Sequence, residues 1–114
     1  MTVAELCKTL GCSAEDGASS MDAEVTGCYC CDLLSRAMAG VPEGSAWITV
    51  IGNGNAVAVA VLTGASCILL AEGVKPDRAA SERAKQKGIA ILKSDRTAYE
   101  LAVAVHGALS DERP

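Results

Sequence analysis

The chain has 114 residues, half of them apolar, and a formal charge of −4. That length bounds it to one domain around a single core, and the composition excludes a disordered chain. The acidic balance and the lack of a basic stripe exclude a nucleic-acid partner, and no apolar run approaches the roughly 20 residues that span a bilayer, so no membrane partner is expected.

Thr2 and Glu5 form a T-x-x-E capping box and Gly11 suits a helix C-terminus, which predicts a helix over 3–10. The start has no basic n-region and no cleavage site, so no secretory leader is expected and the protein reads as cytoplasmic. Thiols stay reduced there, and the six cysteines are not converted into three disulfides. Residues 13–23 are polar and loop-like, and residues 23–31 have strand character around Val25, Cys28 and Tyr29. Asp32 is placed to cap a short helix over 33–40, ended by Gly40 and Pro42. The apolar run AWITVI, 46–51, reads as a buried strand.

The run AVAVAVL, 56–62, is apolar on every face, so periodicity does not decide it. Topology does: two buried strands joined only by GNGN would leave no crossover for a parallel sheet, so the run is a helix capped by Asn53 or Asn55. Residues 66–71 form the next strand, and Pro76 and Asp77 open a charged helix to Lys87, closed by Gly88. Residues 89–92 are a short strand, and a second capping box, Thr97 with Glu100, starts a helix to about residue 109, with 110–114 frayed. Strand and helix alternate from 24 to 109. The expected fold is therefore α/β, a single three-layer domain with a central, mostly parallel sheet of about four strands flanked by helices.

Ligands of such sheets sit at the carboxyl ends of strands, beside helix starts. Here that edge gathers Cys31, Asp32, Gly52, Asn53, Asn55, Gly73 and Lys75 as candidate ligand contacts. Gly52 and Gly54 fit G-x-G, and Glu72 stands twenty residues on, where a dinucleotide fold keeps its ribose acid. Val57 at the third position hinders close helix–strand packing, and a tight turn into a buried helix is the simpler reading. A third use of the glycines is close approach of an anion to free N–H groups. No P-loop is present. The single histidine, His106, lies late in the last helix, where no nucleophile or acid can be grouped with it, so no enzymatic activity is expected.

The run GCYCCDLLS, 27–35, holds three of the six cysteines. In a strand Cys28 and Cys30 share a face and Cys31 takes the other. Zinc and iron–sulfur spacings are not matched, and cysteine as a small buried hydrophobe is the leading reading. The alternatives are an iron–sulfur cluster or zinc on Cys28, Cys30 and Cys31, and a redox thiol at Cys31 where the strand gives way to a helix. No cofactor is expected on the leading reading.

The runs VTGCYCCDLLSRAM, SAWITVIGNGNAVAVAVL, SCILLAEGVKPD, AKQKGIAIL and TAYELA, in that order over about 23–109, resemble the DRTGG domain family. The chain is most similar to small stand-alone members found beside iron-only hydrogenase genes. It is also similar to the N-terminal domain of HPr kinase/phosphorylase and to a domain of CBS-containing inorganic pyrophosphatases. The resemblance implies a non-catalytic regulatory or ligand-binding module, nucleotide or anion binding, and a hydrogenase or other redox-protein partner. The all-round apolar helix 56–62 needs cover on every side, which leads us to expect a homodimer.

Overall fold

The computed structural model describes residues 1–111. Among them the elements run α1 (Val3–Leu10), β1 (Ser13–Ala14), β2 (Gly27–Cys30), α2 (Leu34–Gly40), β3 (Ser45–Thr49), α3 (Gly54–Thr63), β4 (Cys67–Leu70), α4 (Arg78–Lys87), β5 (Ala90–Lys93) and α5 (Ala98–Asp111). The expected three-layer α/β fold is what forms. One sheet has the order β1-β5-β4-β3-β2, with β2 to β5 parallel and β1 antiparallel at the β5 edge.

The central strands are buried on both faces, so they read as continuous apolar runs while alternate residues serve different layers. Ile48, Leu69 and Leu92 point to one side and meet Val3 and Leu6 of α1 and Leu101 and Val105 of α5. Trp47, Ile68, Leu70 and Ile91 point to the other and meet the alanines and valines of α2, α3 and α4. Trp47 is fully buried, and its indole N–H donates to the carbonyl of Cys31 at 3.0 Å. Small side chains on α3 and α4, among them Ala56, Ala60, Ala80 and Ala84, let the helices lie close to this large ring.

Because β2, β3, β4 and β5 lie in sequence order, each connecting helix steps in the same direction and returns over the same face. Helices α1 and α5 cover the other. Residues 15–26 then carry the chain from the β5 edge to the β2 edge along the amino ends of the strands. Ser20 donates there to the Gly88 carbonyl, Ser66 to that of Glu24, and the Thr26 N–H to that of Gly44.

Several expectations are corrected. Residues 13–23 are not all loop: Ser13 and Ala14 pair with Lys93 and Leu92, a strand created by its neighbour rather than by local propensity. The strand expected over 23–31 is confined to Gly27–Cys30, since Val25 bonds Met1 and Thr26 bonds Gly44 instead. Asp32 does not cap α2, whose N-cap is Leu33 with no side-chain bond. Of the two asparagines, Asn53 is the cap, its Oδ1 accepting from the Ala56 N–H at 3.1 Å. Ser110 and Asp111, expected to fray, belong to α5, and 112–114 lie outside the described residues.

Gly52 has a packing role. Its carbonyl accepts the Asp77 N–H at 2.7 Å, and a Cβ at this position would stand 2.7 Å from the Lys75 carbonyl oxygen. The backbones leaving β3 and β4 touch here with no room for a side chain. Gly52→Ala is expected to lower the unfolding free energy by about 1–3 kcal/mol in urea titration. An unchanged midpoint would show that the 72–77 segment moves aside at no cost.

Candidate functional site

The chain leaves β4 through a turn, with the Val74 N–H bonded to the Ala71 carbonyl at 3.2 Å. Its two central residues, Glu72 (φ 60) and Gly73 (φ 74), are both left-handed, as a type I′ turn requires. Glutamate tolerates this poorly, and the segment after β5 holds it there: the Glu72 N–H donates to the Arg96 carbonyl at 2.8 Å and the Gly73 N–H to that of Ser94 at 2.9 Å. A Cβ on Gly73 would also come within 3.2 Å of Asp95 Oδ1.

Behind this turn lies an open cavity of about 460 Å³ walled by residues 11–13, 73–75 and 93–96. Three sequence-distant stretches thus meet at the carboxyl ends of β4 and β5. The wall carries Lys75, Lys93 and Arg96 against one carboxylate, Asp95. A chain of net charge −4 places three of its ten basic residues here. Ser13, Ser94 and the thiol-bearing Cys12 supply neutral polar groups. Such a wall suits an anion.

Lys93 is already engaged at its far end, with Nζ 3.4 Å from Glu15 Oε1, while the Ser81 hydroxyl donates to Glu15 Oε2 at 2.9 Å. Burial pushes the Glu15 carboxyl up, but the Ser81 hydroxyl, the Asp16 N–H and Lys93 together outweigh it and hold it below the usual carboxylate range. The stability it lends is therefore present above the ordinary glutamate range and lost as pH falls through the lowered value.

Of the residues nominated from sequence, Gly73 and Lys75 line the cavity and the others do not. Asp32 braces the end of β3, its Oδ1 accepting from the Thr49 hydroxyl and the Val50 N–H, both at 2.9 Å. Asn53 is a helix cap, Gly52 a backbone contact, and Asn55 an exposed first-turn residue of α3. Cys31 lies beside Trp47, its thiol donating to the Leu33 carbonyl at 3.5 Å. Strands stand about 4.8 Å apart, so the end of β2 lies about 14 Å from that of β5. Sequence reasoning missed Cys12, Ser13, Lys93 and Arg96. Lys93, the first charge after an apolar strand, and Arg96, in the segment that follows it, were within reach of the sequence; Cys12 and Ser13 needed the β1–β5 pairing.

The cysteines divide as strand alternation requires, Cys28 against α1 and α5, Cys31 on the Trp47 side. Cys7 and Cys12 occupy the two positions that a Schellman ending brings together: the Cys12 N–H bonds the Cys7 carbonyl at 3.1 Å and the Gly11 N–H that of Lys8 at 3.2 Å. Burial pushes the thiols of Cys12 and Cys28 up to about 12, and raises those of Cys30 and Cys67 as well. Metal ligation and thiol exchange both need the thiolate. Among the described residues no three of His, Cys, Asp or Glu are grouped to hold a metal ion. The arrangement does not fit a zinc ion or an iron–sulfur cluster on Cys28, Cys30 and Cys31.

Two outcomes are expected. Asp32→Ala leaves the Val50 N–H and Thr49 hydroxyl without their acceptor and costs about 1–2 kcal/mol of stability in thermal or chemical unfolding. A thiol with a pKa near 12 is ionised to only about one part in ten thousand at pH 8, so iodoacetamide should label exposed Cys30 well before Cys12, Cys28 and Cys67, as read by peptide mass mapping. Early labelling of Cys28 would contradict its placement under α5.

Comparison with known proteins accords with this architecture. A crystal structure of the CBS and DRTGG domains of the regulatory region of Clostridium perfringens pyrophosphatase, complexed with the activator diadenosine tetraphosphate, superposes with a TM-score of 0.72 at 13% identity. The superposition covers 91% of this chain and 45% of that one, so this chain spans less than half of the regulatory region it matches. No curated protein matches the sequence. The profile of the DRTGG domain matches residues 5–108, nearly the whole chain and more than the 23–109 on which the sequence likeness rested, and the chain belongs to the DRTGG domain family.

Proposed function

We propose that this chain is a non-catalytic regulatory module that binds a phosphate-bearing anion, of nucleotide type, in the cavity beyond β4 and β5. The observation that carries the reading is the convergence of Lys75 and Arg96, with Lys93 held against Glu15 beside them, on a cavity of about 460 Å³ in an otherwise acidic protein. That volume is of the size that takes a small-molecule ligand. The similar pyrophosphatase regulatory region, complexed with a dinucleoside polyphosphate, supports both a regulatory role and this ligand class. A non-catalytic role is supported by the cavity wall, which offers cations and hydroxyls but no poised nucleophile: Cys12 is held in its thiol form, and exposed His106 stands on α5 away from the wall.

The reading extends to the setting. Likeness to stand-alone family members encoded beside iron-only hydrogenases supports an accessory role to such a system; the proposed module acts in the cytoplasm as a homodimer and requires no cofactor.

Calorimetry with ATP, ADP, inorganic phosphate and diadenosine tetraphosphate tests the ligand. Binding of at least one is expected, weakening with salt, and Lys75→Glu and Arg96→Glu are each expected to reduce affinity about tenfold or more. Both side chains are exposed, so folding should be unaffected. No heat with any of the four compounds would sink the ligand assignment. Light scattering reads the dimer directly; a monomer at all concentrations removes that part of the reading.

A further inference from the structure

The apolar run on α3, which leads to the expectation of a homodimer, is covered on one side only. Its inner face, Ala56, Val57, Val59 and Ala60, is buried against the sheet and the flanking helices. Its outer face is just as apolar but is not covered: Leu62 is 71% exposed and Val61 41%, and Ala58 completes an i, i+3, i+4 set with them. Between this face and α4 runs a groove of about 430 Å³, floored by Ala58, Val61 and Leu62 and walled by Arg83, Gln86 and Lys87. Two of the three wall residues, Arg83 and Lys87, are basic, in a chain whose total is −4. Arg83 is also set in place, with Nη1 donating to the Gly54 carbonyl at 3.0 Å.

We infer that this groove is a docking site for an acidic amphipathic helix of a partner protein. The apolar floor calls for leucine-like anchors at helical spacing, and the cationic wall calls for glutamate or aspartate beside them. Helix α3 has ten residues and is about 15 Å long, so the matching partner segment is about three turns. The surface lies on the helical layer opposite α1 and α5, apart from the anion cavity in residues and in chemistry.

The test uses the whole protein and two helical peptides of about 14 residues that share leucines at i, i+3, i+4 and i+7. One carries glutamates beside the leucines, the other lysines. Fluorescence anisotropy measures affinity, and amide shift mapping finds the surface. The acidic peptide is expected to bind about tenfold or more tightly than the basic one, with affinity falling as salt rises and shifts confined to α3 and α4. Leu62→Asp and Lys87→Glu, both at exposed positions, should each abolish that preference while the circular dichroism spectrum and thermal midpoint stay unchanged. Equal binding of the two peptides, no binding of either, or shifts mapping elsewhere would overturn the proposal. A homodimer that dissociates in Leu62→Asp would overturn it too, since the groove would then belong to a second copy of this chain.

Discussion

Strands β2, β3, β4 and β5 lie side by side in the order in which the chain makes them. A parallel crossover returns over the sheet with one hand only, so three successive steps in one direction put α2, α3 and α4 on the same face. The opposite face is left to α1 and α5, the two ends of the described chain. Their packing is unequal in kind: α1 and α5 bring leucine and valine to Ile48, Leu69 and Leu92, while α3 and α4 bring mainly alanine and valine and must fit around Trp47.

The same order decides where a ligand can sit. Open α/β sheets bind at the point where strand order reverses, because neighbouring loops part there and open a crevice. Strands β2 to β5 contain no reversal, and the loops after β3 and β4 close on each other at Gly52, Lys75 and Asp77. The discontinuity comes at the β5 edge, where β1 adds antiparallel and brings residues 11–13 up beside 93–96. That is where the cavity opens. Lys75 reaches it only because the left-handed turn at Glu72 and Gly73 is pinned to the segment after β5.

The cysteines have a structural account that suits a domain with so few large apolar residues. Cys67 is buried in the layer under α1 and α5 and Cys28 packs against it, and Cys7 and Cys12 make the apolar contact that ends α1. Burial raises the thiols of Cys12, Cys28 and Cys67, the opposite of what a thiol-exchange site needs. At the end of β2, Cys30 is exposed and Cys31 half-buried beside Trp47, and the two face opposite ways.

The sequence by itself determined the elements whose signals are local. The Thr2–Glu5 and Thr97–Glu100 boxes, the Asp77 cap and the glycines at 11 and 88 bound helices through bonds between near neighbours, and those helices stand where the sequence puts them. Alternation likewise assigned Cys28 and Cys31 to opposite faces before any contact was known. Tertiary structure decided whatever depended on a remote partner. Ser13 and Ala14 are a strand only because β5 leaves an edge open, and Asp32, which has the look of a cap, turns instead to the Val50 N–H that β3 leaves free. The cavity belongs to the same class. Its walls come from three stretches that no spacing relates, and Lys93 and Arg96 acquire a common purpose with Lys75 only once the strands are laid in register. A local bond is written in a few adjacent residues, whereas a site made by strand order exists only in the assembled sheet.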